Sequence, residues 1–316
     1  MTGTGTQADP YIITTIYDFC SISNGTSDAN LKYYKLGNDI DFNDHNVYKM
    51  GVSATRIINA PYTVLDEDGH KIRNFVLFRY AMNQAVFVLK EWRNCITQNF
   101  MIQNLPEDYN AWLFGQRCTF TNSSINITLN NSNPMALFMS GANFNNSVLS
   151  LTGTVERTGF PGVYTENTVN FDHSWLHLDV KTKFWKKEVT LGDYNNVALR
   201  IQGNLNYSYV TGKIVETSTP SSATDPVKIT FDSMYNSYCA LGIEDQRDGN
   251  HAYRIEGSHS GVNFFVKDKV KTPGTIGTWY TPNTNTMKFV TEEEVKTYGY
   301  LPGIAFPVNQ TDPEGA

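Results

Sequence analysis

The sequence predicts an all-β protein that folds as a parallel β-helix, a solenoid of stacked coils with a short capping helix at the N-terminal end and a cap at the C-terminal end. Between residues 90 and 265, a small polar step followed by a short alternating strand recurs seven times. The steps are 23 to 34 residues apart, and no helical pattern separates them. An irregular period of this size is typical of solenoid coils whose corner loops vary in length. The residues aligned at the middle of the steps are Cys95, Ser124, Ser147, Ser174, Ser208, Ser237 and Ser260.

Residues 1–32 predict an N-terminal arm and the capping helix. Ordered structure is expected to begin at Tyr11, after a small polar arm. Apolar side chains at positions 16, 19, 20 and 22 fall on one face of a short helix, with Thr14 or Thr15 as its N-cap. Such a helix would cover the strand edges that an end coil leaves open.

Residues 33–271 predict the β-helix itself, with about nine coils and a length of roughly 45 Å at ~4.8 Å per coil. Small side chains at each step can satisfy backbone groups and stack on their equivalents one coil away. A turn is expected at Asp68-Gly69. Loops 156–170 and 217–226 are rich in Thr, Ser, Gly and Pro, and we expect them to project from the solenoid. Strands are expected at 33–42, 113–115, 137–139 and 199–201.

Residues 272–316 predict the C-terminal cap and tail. Thr291 followed by Glu294 is a capping-box pattern, which indicates the start of a short helix. The segment 301–308 would then close the structure.

Composition restricts the class of protein and its surroundings. Aromatic residues make up 13 % of the chain and charged residues 18 %, which is typical of a β-rich protein. The net charge of −6 and the absence of basic runs argue against nucleic-acid binding. No stretch approaches ~18 consecutive apolar residues, so membrane insertion is not expected. Residues 1–6 lack the features of a secretory signal, although a signal replaced by Met1 would leave the same start.

The four cysteines predict free thiols of a reducing compartment and no metal site. They show no metal-ligand spacing, and no cofactor motif accompanies them. Cys95 and Cys118 are 23 residues apart, about one coil, so they could stack on neighbouring coils. The other two are Cys20 and Cys239.

Segments near both ends of the chain follow a recognisable pattern. Residues 3–13 and 34–42 are similar to the entry coils of right-handed parallel β-helix proteins, and residues 65–74 resemble the LDGxGHxIxN coil of GLUG-type repeats. Glu67 stands where glycine is usual, so the local turn is expected to lose a backbone-permissive position. Residues 291–307 look like the tail of bacterial and phage β-helix proteins. The resemblance implies a right-handed, single-stranded β-helix of the kind found in tailed-phage virion proteins and bacterial surface proteins.

Acidic residues on the repeated strands are weak candidates for catalysis. Glycoside hydrolysis needs two carboxylates about 5 to 10 Å apart, which on stacked strands requires acids at equivalent positions of adjacent coils. Turn or surface acids are the alternative interpretation, because no tight acidic pair stands out. The candidates are Asp172, Asp179 and Asp232, together with Asp193.

A histidine pair and several aromatic residues are candidates for ligand binding. His173 and His177 are four residues apart, so strand alternation puts both on one face beside Trp175. This fits a metal pair or a sugar-stacking platform, but no third metal ligand stands at suitable spacing. Outward-facing aromatics can bind carbohydrate or a sister subunit, whereas rings lining the interior are the alternative. The further aromatics are Tyr207, Tyr209, Tyr235, Tyr238, Phe264 and Phe265.

These observations favour a structural protein of a tailed bacteriophage virion, a β-helical spike, fibre or decoration protein involved in host-surface attachment or virion assembly. The expected partners are other virion proteins, host surface polysaccharide and further copies of the chain, with a trimer favoured. The expected location is the virion, after synthesis in the cytoplasm of the host bacterium. A polysaccharide depolymerase or lyase and a bacterial cell-surface adhesin are the alternatives. Whether the protein is an enzyme stays open, with a non-enzymatic role favoured and no cofactor expected.

Overall fold

The chain winds into a parallel β-solenoid, as the spacing of the polar steps predicts. A computed structural model shows about six turns, and the strands within its described residues pair in parallel. The structure describes residues 1–44, 57–77, 84–103, 111–115, 117–131, 135–138, 140–157, 163–165, 168–184, 199–217, 227–245, 258–260, 263–266 and 287–290.

The strands form walls around one hydrophobic core. The first wall contains β1 (Tyr11–Ile13), β2 (Lys32–Leu36), β4 (Ile58–Asp66), β7 (Gln84–Arg93), β10 (Ala111–Phe114), β13 (Met135–Phe138), β16 (Val163–Tyr164), β19 (Leu199–Asn206) and β21 (Val227–Tyr235). The second wall pairs with the C-terminal ends of β7, β19 and β21, and contains β11 (Cys118–Thr121), β14 (Ala142–Asn145), β17 (Val169–Asp172) and β23 (Ser258–Ser260).

The third wall follows the polar steps and carries the longest uninterrupted pairings. It contains β6 (Val76–Leu77), β9 (Phe100–Gln103), β12 (Ser124–Asn131), β15 (Val148–Arg157), β18 (Trp175–Phe184), β20 (Tyr209–Glu216), β22 (Tyr238–Asp245), β24 (Asn263–Val266) and β25 (Met287–Val290). A small sheet beside it contains β3 (Ile40–Asp41), β5 (Ile72–Arg73) and β8 (Thr97–Gln98), and a 3-10 turn spans Phe42–Asp44.

The N-terminal helix α1 (Ile16–Cys20) forms where the sequence predicts it. Thr15 is the N-cap, and its hydroxyl accepts a hydrogen bond from the backbone N–H of Asp18 at 3.1 Å. The helix buries Ile16 and Phe19, and the Phe19 ring packs 6.3 Å from the ring of Phe87 in the core. The expected capping helix is therefore confirmed, with Thr15 rather than Thr14 as its N-cap.

The interior is filled by aromatic rings that stack from coil to coil. The ring of Phe144 lies 4.7 Å from that of Phe120 and 5.2 Å from that of Phe171, with the planes nearly parallel. Phe114 and Phe138 form a second stack, 5.7 Å apart. Because parallel strands place equivalent residues one coil apart, a phenylalanine repeated at the same coil position produces such a stack.

The polar steps form a buried hydrogen-bonded column, which we name the serine ladder. Its members are Ser123, Ser147, Ser174, Ser208 and Ser237. The backbone N–H of each of the first four serines donates to the hydroxyl of the next, at 2.9 to 3.1 Å. Each hydroxyl also lies 2.7 to 2.9 Å from the carbonyl oxygen two residues earlier in its own coil. The small polar step therefore satisfies buried backbone groups, as predicted.

The serine ladder corrects two of the aligned steps. Ser123, not Ser124, is equivalent to Cys95, because the N–H of Cys95 donates to the Ser123 hydroxyl at 3.1 Å. In the last step Ser260 pairs with Tyr235, two residues before Ser237. The predicted alignment was wrong at these two steps because neighbouring serines and short loops offer more than one register.

Two further expectations are wrong. Part of loop 156–170 does not project, because β16 pairs with β13 and β19, and Val169 is fully buried. Cys95 and Cys118 do not stack, since Cys95 is hydrogen-bonded to Ser123 of the next coil, and Thr119 beside Cys118 pairs with Glu91. All four cysteines are free, and only Cys20 is not fully buried.

Other expectations fall on parts of the chain that lie outside the described residues. These parts include residues 218–226 and the C-terminal cap apart from β25. The total of about nine coils likewise stays a prediction, since it was estimated from the ~4.8 Å spacing over the whole of 33–271.

Candidate functional site

The corner before the third wall requires an unusual backbone conformation. Six residues that precede the ladder position have φ between 43° and 50°, the left-handed region. Asparagine tolerates this conformation better than other side chains that carry a Cβ. In four coils the residue is asparagine, but in two adjacent coils it is His173 (φ 46°) and Tyr207 (φ 45°). The asparagine corners are Asn94, Asn122, Asn146 and Asn236.

The two exceptions bring together an exposed group of polar and aromatic side chains. We name Asp172, His173, Asn206, Tyr207 and Tyr235 the aromatic corner. The His173 ring stacks on the Tyr207 ring at 5.0 Å, and Tyr207 meets Tyr235 edge to face at 5.2 Å. A hydrogen bond with Tyr207 raises the pKa of the Tyr235 hydroxyl. The aromatic corner thus places three rings from three successive coils side by side.

A carboxylate and an amide border these rings. The Asp172 Oδ1 atom accepts a hydrogen bond from Asn206 Nδ2 at 2.6 Å and lies 3.0 Å from His173 Nδ1. The side chains of Asp172 and His173 are 49 % and 44 % exposed, and Tyr235 is 39 % exposed. Carboxylate and amide oxygens beside exposed ring faces are groups that can hydrogen-bond hydroxyls while apolar faces stack on the rings. The arrangement can therefore bind a polyhydroxylated ligand.

The remaining predicted binding residues lie next to the aromatic corner, on the outer face of the third wall. Trp175 and Tyr209 form a cluster with Val148 that is separate from the core, and Tyr207 and Tyr238 pack against it. The alternating residues Leu176 and Val210 belong to the core. Trp175 and Tyr209 therefore lie on the side of the wall away from the core and do not line the interior, while their role in ligand binding stays a prediction.

Outward-facing rings are not all accessible. Trp175 is only 2 % exposed, and its indole N–H donates to the Thr211 hydroxyl at 2.7 Å. His177 Nδ1 lies 3.0 Å from the same hydroxyl. Trp175 is thus buried against Tyr207 and hydrogen-bonded to Thr211, whereas His173, Tyr207 and Tyr235 form the accessible part of the aromatic corner.

The predicted acidic residues are not brought together. Asp172 and Asp232 lie on strands two coils apart, and Asp232 falls where the register shifts between Gly203 and Asn204, so their backbones are ~13 Å apart at ~4.8 Å per coil and ~3.3 Å per residue. Asp232 accepts hydrogen bonds from Thr168 and Gln202 at 3.1 and 2.8 Å. Asp179 is exposed on the third wall, in register with Lys213. Asp193, like the side chains of Phe264 and Phe265, lies outside the described part.

Two residues of this region escaped the sequence analysis. Asn206 and Thr211 lie one coil beyond Asp172 and His177, and both pairings follow from the register. Aligning the residue before each polar step would have found Asn206, because Asp172 and Asn206 occupy that place in consecutive coils.

Two properties of the described residues concern metals and membranes. They contain no group of three or more His, Cys, Asp or Glu side chains that could hold a metal ion. No helix in this part of the chain is long and apolar enough to cross a membrane.

The sequence and the fold were compared with known proteins in three ways. Nothing matches this chain among protein-family models, curated proteins or solved structures.

Proposed function

We propose that this protein is a structural β-helical component of a tailed bacteriophage virion, a spike, fibre or decoration protein that attaches to polysaccharide on the host surface. The fold supports a rigid rod, because the serine ladder and the stacked rings tie each coil to the next. The resemblance of the terminal segments to phage β-helix proteins supports the virion as its location. Other virion proteins and further copies of the chain, in a trimer, complete the proposed set of partners.

The observation that carries the attachment role is the pair of rings in left-handed corners. A bulky residue in this conformation costs about 1–3 kcal/mol, and such strain persists where it serves a function. Four other corners avoid the cost with asparagine, while His173 and Tyr207 place rings next to the exposed Asp172–Asn206 pair. The strain is therefore located at the accessible group best suited to bind a sugar.

Exchanging both rings for asparagine separates function from stability. In the double variant H173N/Y207N, the relieved strain of about 1 kcal/mol per residue offsets the lost ring stacking of about 0.5–1.5 kcal/mol. We expect a melting temperature within a few degrees of wild type and at least tenfold weaker binding to an array of immobilised bacterial capsular and O-chain glycans. Tyr17→Asn, which removes an exposed ring on α1, is the control and is expected to bind like wild type.

Three results would contradict the proposal. Equal glycan binding by wild type and the double variant would show that the aromatic corner does not bind the glycan. If wild type binds none of the glycans on the array, polysaccharide is not the ligand. The genes beside this one test the location, since tail or capsid genes are expected there, and secretion or cell-wall-anchor genes would instead indicate an adhesin.

The depolymerase alternative has a direct readout in the same assay. Release of shortened glycan by wild type would show an enzyme, and substitutions of Asp172, Asp179 and Asp232 would then locate the catalytic group. Against this alternative, the backbones of Asp172 and Asp232 are ~13 Å apart at the usual strand spacing, and the Asp232 carboxylate accepts hydrogen bonds from Thr168 and Gln202.

A further inference from the structure

The serine ladder ends at its N-terminal side on a buried carboxyl group. Cys95 takes the ladder position in its coil, and its thiol donates to Glu67 Oε1 at 2.6 Å. The backbone N–H of Ile96 donates to Glu67 Oε2 at 2.8 Å. Glu67 itself is fully buried. The two carboxyl oxygens of Glu67, from the preceding coil, therefore accept the hydrogen bonds at the N-terminal end of the ladder.

The position of Glu67 corrects the expectation that it weakens the local turn. In register it corresponds to Asn94, because the N–H groups of both residues donate to a carbonyl of the following coil, at 3.0 and 2.9 Å. The positive φ angles of this turn belong to Asp68 (48°) and Gly69 (86°). The turn thus keeps its permissive positions without a glycine at 67, and the Glu67 side chain is free to point inward.

The surroundings of Glu67 disfavour its charge. The titratable groups that act on it are the Cys95 thiol, Asp66 of β4 and Asp39 beside β3. The nearby basic side chains contact other acids: Arg73 of β5 pairs with Asp39 and Asp41, Lys35 of β2 pairs with Asp68, and His70 Nδ1 lies 3.5 Å from Asp39. Arg93 of β7 pairs with Glu91. Among the described residues, no cation forms an ion pair with Glu67.

Burial and the lack of a counter-charge act in the same direction. Burial raises the pKa of Glu67 to about 8, against the opposing effect of the hydrogen bonds from Cys95 and Ile96. Burial also raises the pKa of the Cys95 thiol, and Glu67 raises it further. At neutral pH the pair is therefore uncharged.

We propose that Glu67 makes the N-terminal turns of the solenoid a pH-dependent joint. Uncharged, it holds residues 57–77 onto residues 84–103. When it ionises, these turns separate more readily, while the coils built on the rest of the serine ladder stay closed.

The direction of the effect follows from proton linkage. In the opened joint Glu67 titrates near its ordinary value of 4.5, and in the closed joint near about 8. Below the lower value both forms are protonated, so the contribution of Glu67 to closure is fully present. Between the two values the opening equilibrium constant rises about tenfold per pH unit, and above the upper value it levels off.

The test measures how fast 4,4′-dithiodipyridine labels Cys95 in the full-length protein, for wild type and for Glu67→Gln, from pH 5 to 9. The glutamine keeps an oxygen for the Ile96 N–H and has no charge to gain. Mass spectrometry of the peptides reports Cys95 and Cys239 separately. The ratio of wild-type to variant rates cancels the intrinsic pH dependence of the thiol reaction.

For Cys95 we expect this ratio to rise about tenfold per unit up to about pH 8 and then to level off. For Cys239, buried on β22, the ratio should stay constant, because the later coils remain closed. A constant ratio at Cys95 would overturn the proposal. A parallel rise at Cys239 would also overturn it, since it would show that Glu67 controls unfolding of the whole solenoid.

Hydrogen exchange on the wild type keeps the proposal testable if the variant does not fold. After correction for the intrinsic exchange rate, the amides that join 57–77 to 84–103, such as those of Ile72, Asn74 and Met101, should lose protection about tenfold per pH unit over the same range. Amides of β18 should keep their protection. Equal pH dependence in both segments would contradict a local joint.

Discussion

Removing one hydroxyl from the serine ladder tests whether the ladder stabilises the solenoid. The Ser174 hydroxyl accepts the N–H of Ser147 at 3.0 Å, and its hydrogen lies within reach of the carbonyl oxygens of Phe144 (2.9 Å) and Asp172 (2.7 Å). Ser174 and Ser147 are almost completely buried, so water cannot replace the missing group. Ser174→Ala therefore leaves the Ser147 N–H without its acceptor.

The magnitude follows from the cost of a buried unsatisfied donor. Such a group costs about 1–3 kcal/mol, so we expect the variant to lose roughly 2 kcal/mol of unfolding free energy. Ser174→Cys should lose less, because Cys95 occupies the same ladder position in its own coil and a thiol is still a weak acceptor. Ser150→Ala is the matched control, since Ser150 lies half-buried on the neighbouring strand β15. Its loss should stay within ~0.5 kcal/mol.

Urea unfolding followed by far-ultraviolet circular dichroism gives the free energies, and hydrogen exchange shows where the loss occurs. Exchange is needed because solenoids do not always unfold in a single step. In S174A, protection should fall first in the coils that contain Ser147 and Ser174. A loss no larger than that of S150A would refute the reasoning, since the ladder would then contribute nothing beyond the strand pairings.

Two further predictions concern the core and a close backbone approach. Phe144→Ala should lower the free energy of unfolding by about 3–5 kcal/mol, because the ring is fully buried between Phe120 and Phe171. Phe144→Leu should lower it distinctly less, and the same urea unfolding measures both losses. Equal losses for the two variants would contradict the stacked packing. Gly212→Ala should prevent close pairing of β18 and β20, because at φ 103° its Cβ would collide with the carbonyl oxygen of Leu178. Gly69→Ala is the control, because Gly69 also has a positive φ but no atom lies within 4 Å of its added Cβ, and it should cost about 1 kcal/mol. Equal melting temperatures for the two variants would contradict the collision at Leu178.

The architecture was predictable because its signal is local and repeated. Left-handed corners favour asparagine and the buried column needs a small polar side chain, so Asn-Ser recurs in three coils, as in Asn146-Ser147, and the other corners keep one of its two residues. The exact register was less accessible. Ser123 and Ser124 are both serines, and only the hydrogen bonds to Cys95 and Ser147 show which of them belongs to the ladder.

The features that the sequence did not reveal depend on partners in other coils. β16 is two residues long in a segment rich in Thr and Gly, and it forms because β13 and β19 pair with it from both sides. The buried position of Glu67 depends on Cys95, 28 residues later. Strand alternation groups Trp175 with His177 on one face of β18, as found, but the expectation that His173 lies on the same strand is wrong, because His173 occupies the left-handed corner before it. Alternation also does not show that the Trp175 ring is buried.

The serine ladder also has a consequence for how such a rod can change its length. The coils of Ser123, Ser147, Ser174 and Ser208 each supply one hydroxyl acceptor to the coil before and one N–H donor to the coil after. One coil can be defined as the segment from one ladder serine to the residue before the next. Each such coil makes the same ladder hydrogen bonds as its neighbours. Duplication or loss of such a segment in the gene leaves every donor matched to an acceptor. Selection can thus adjust the reach of the rod in whole coils while the two ends stay unchanged.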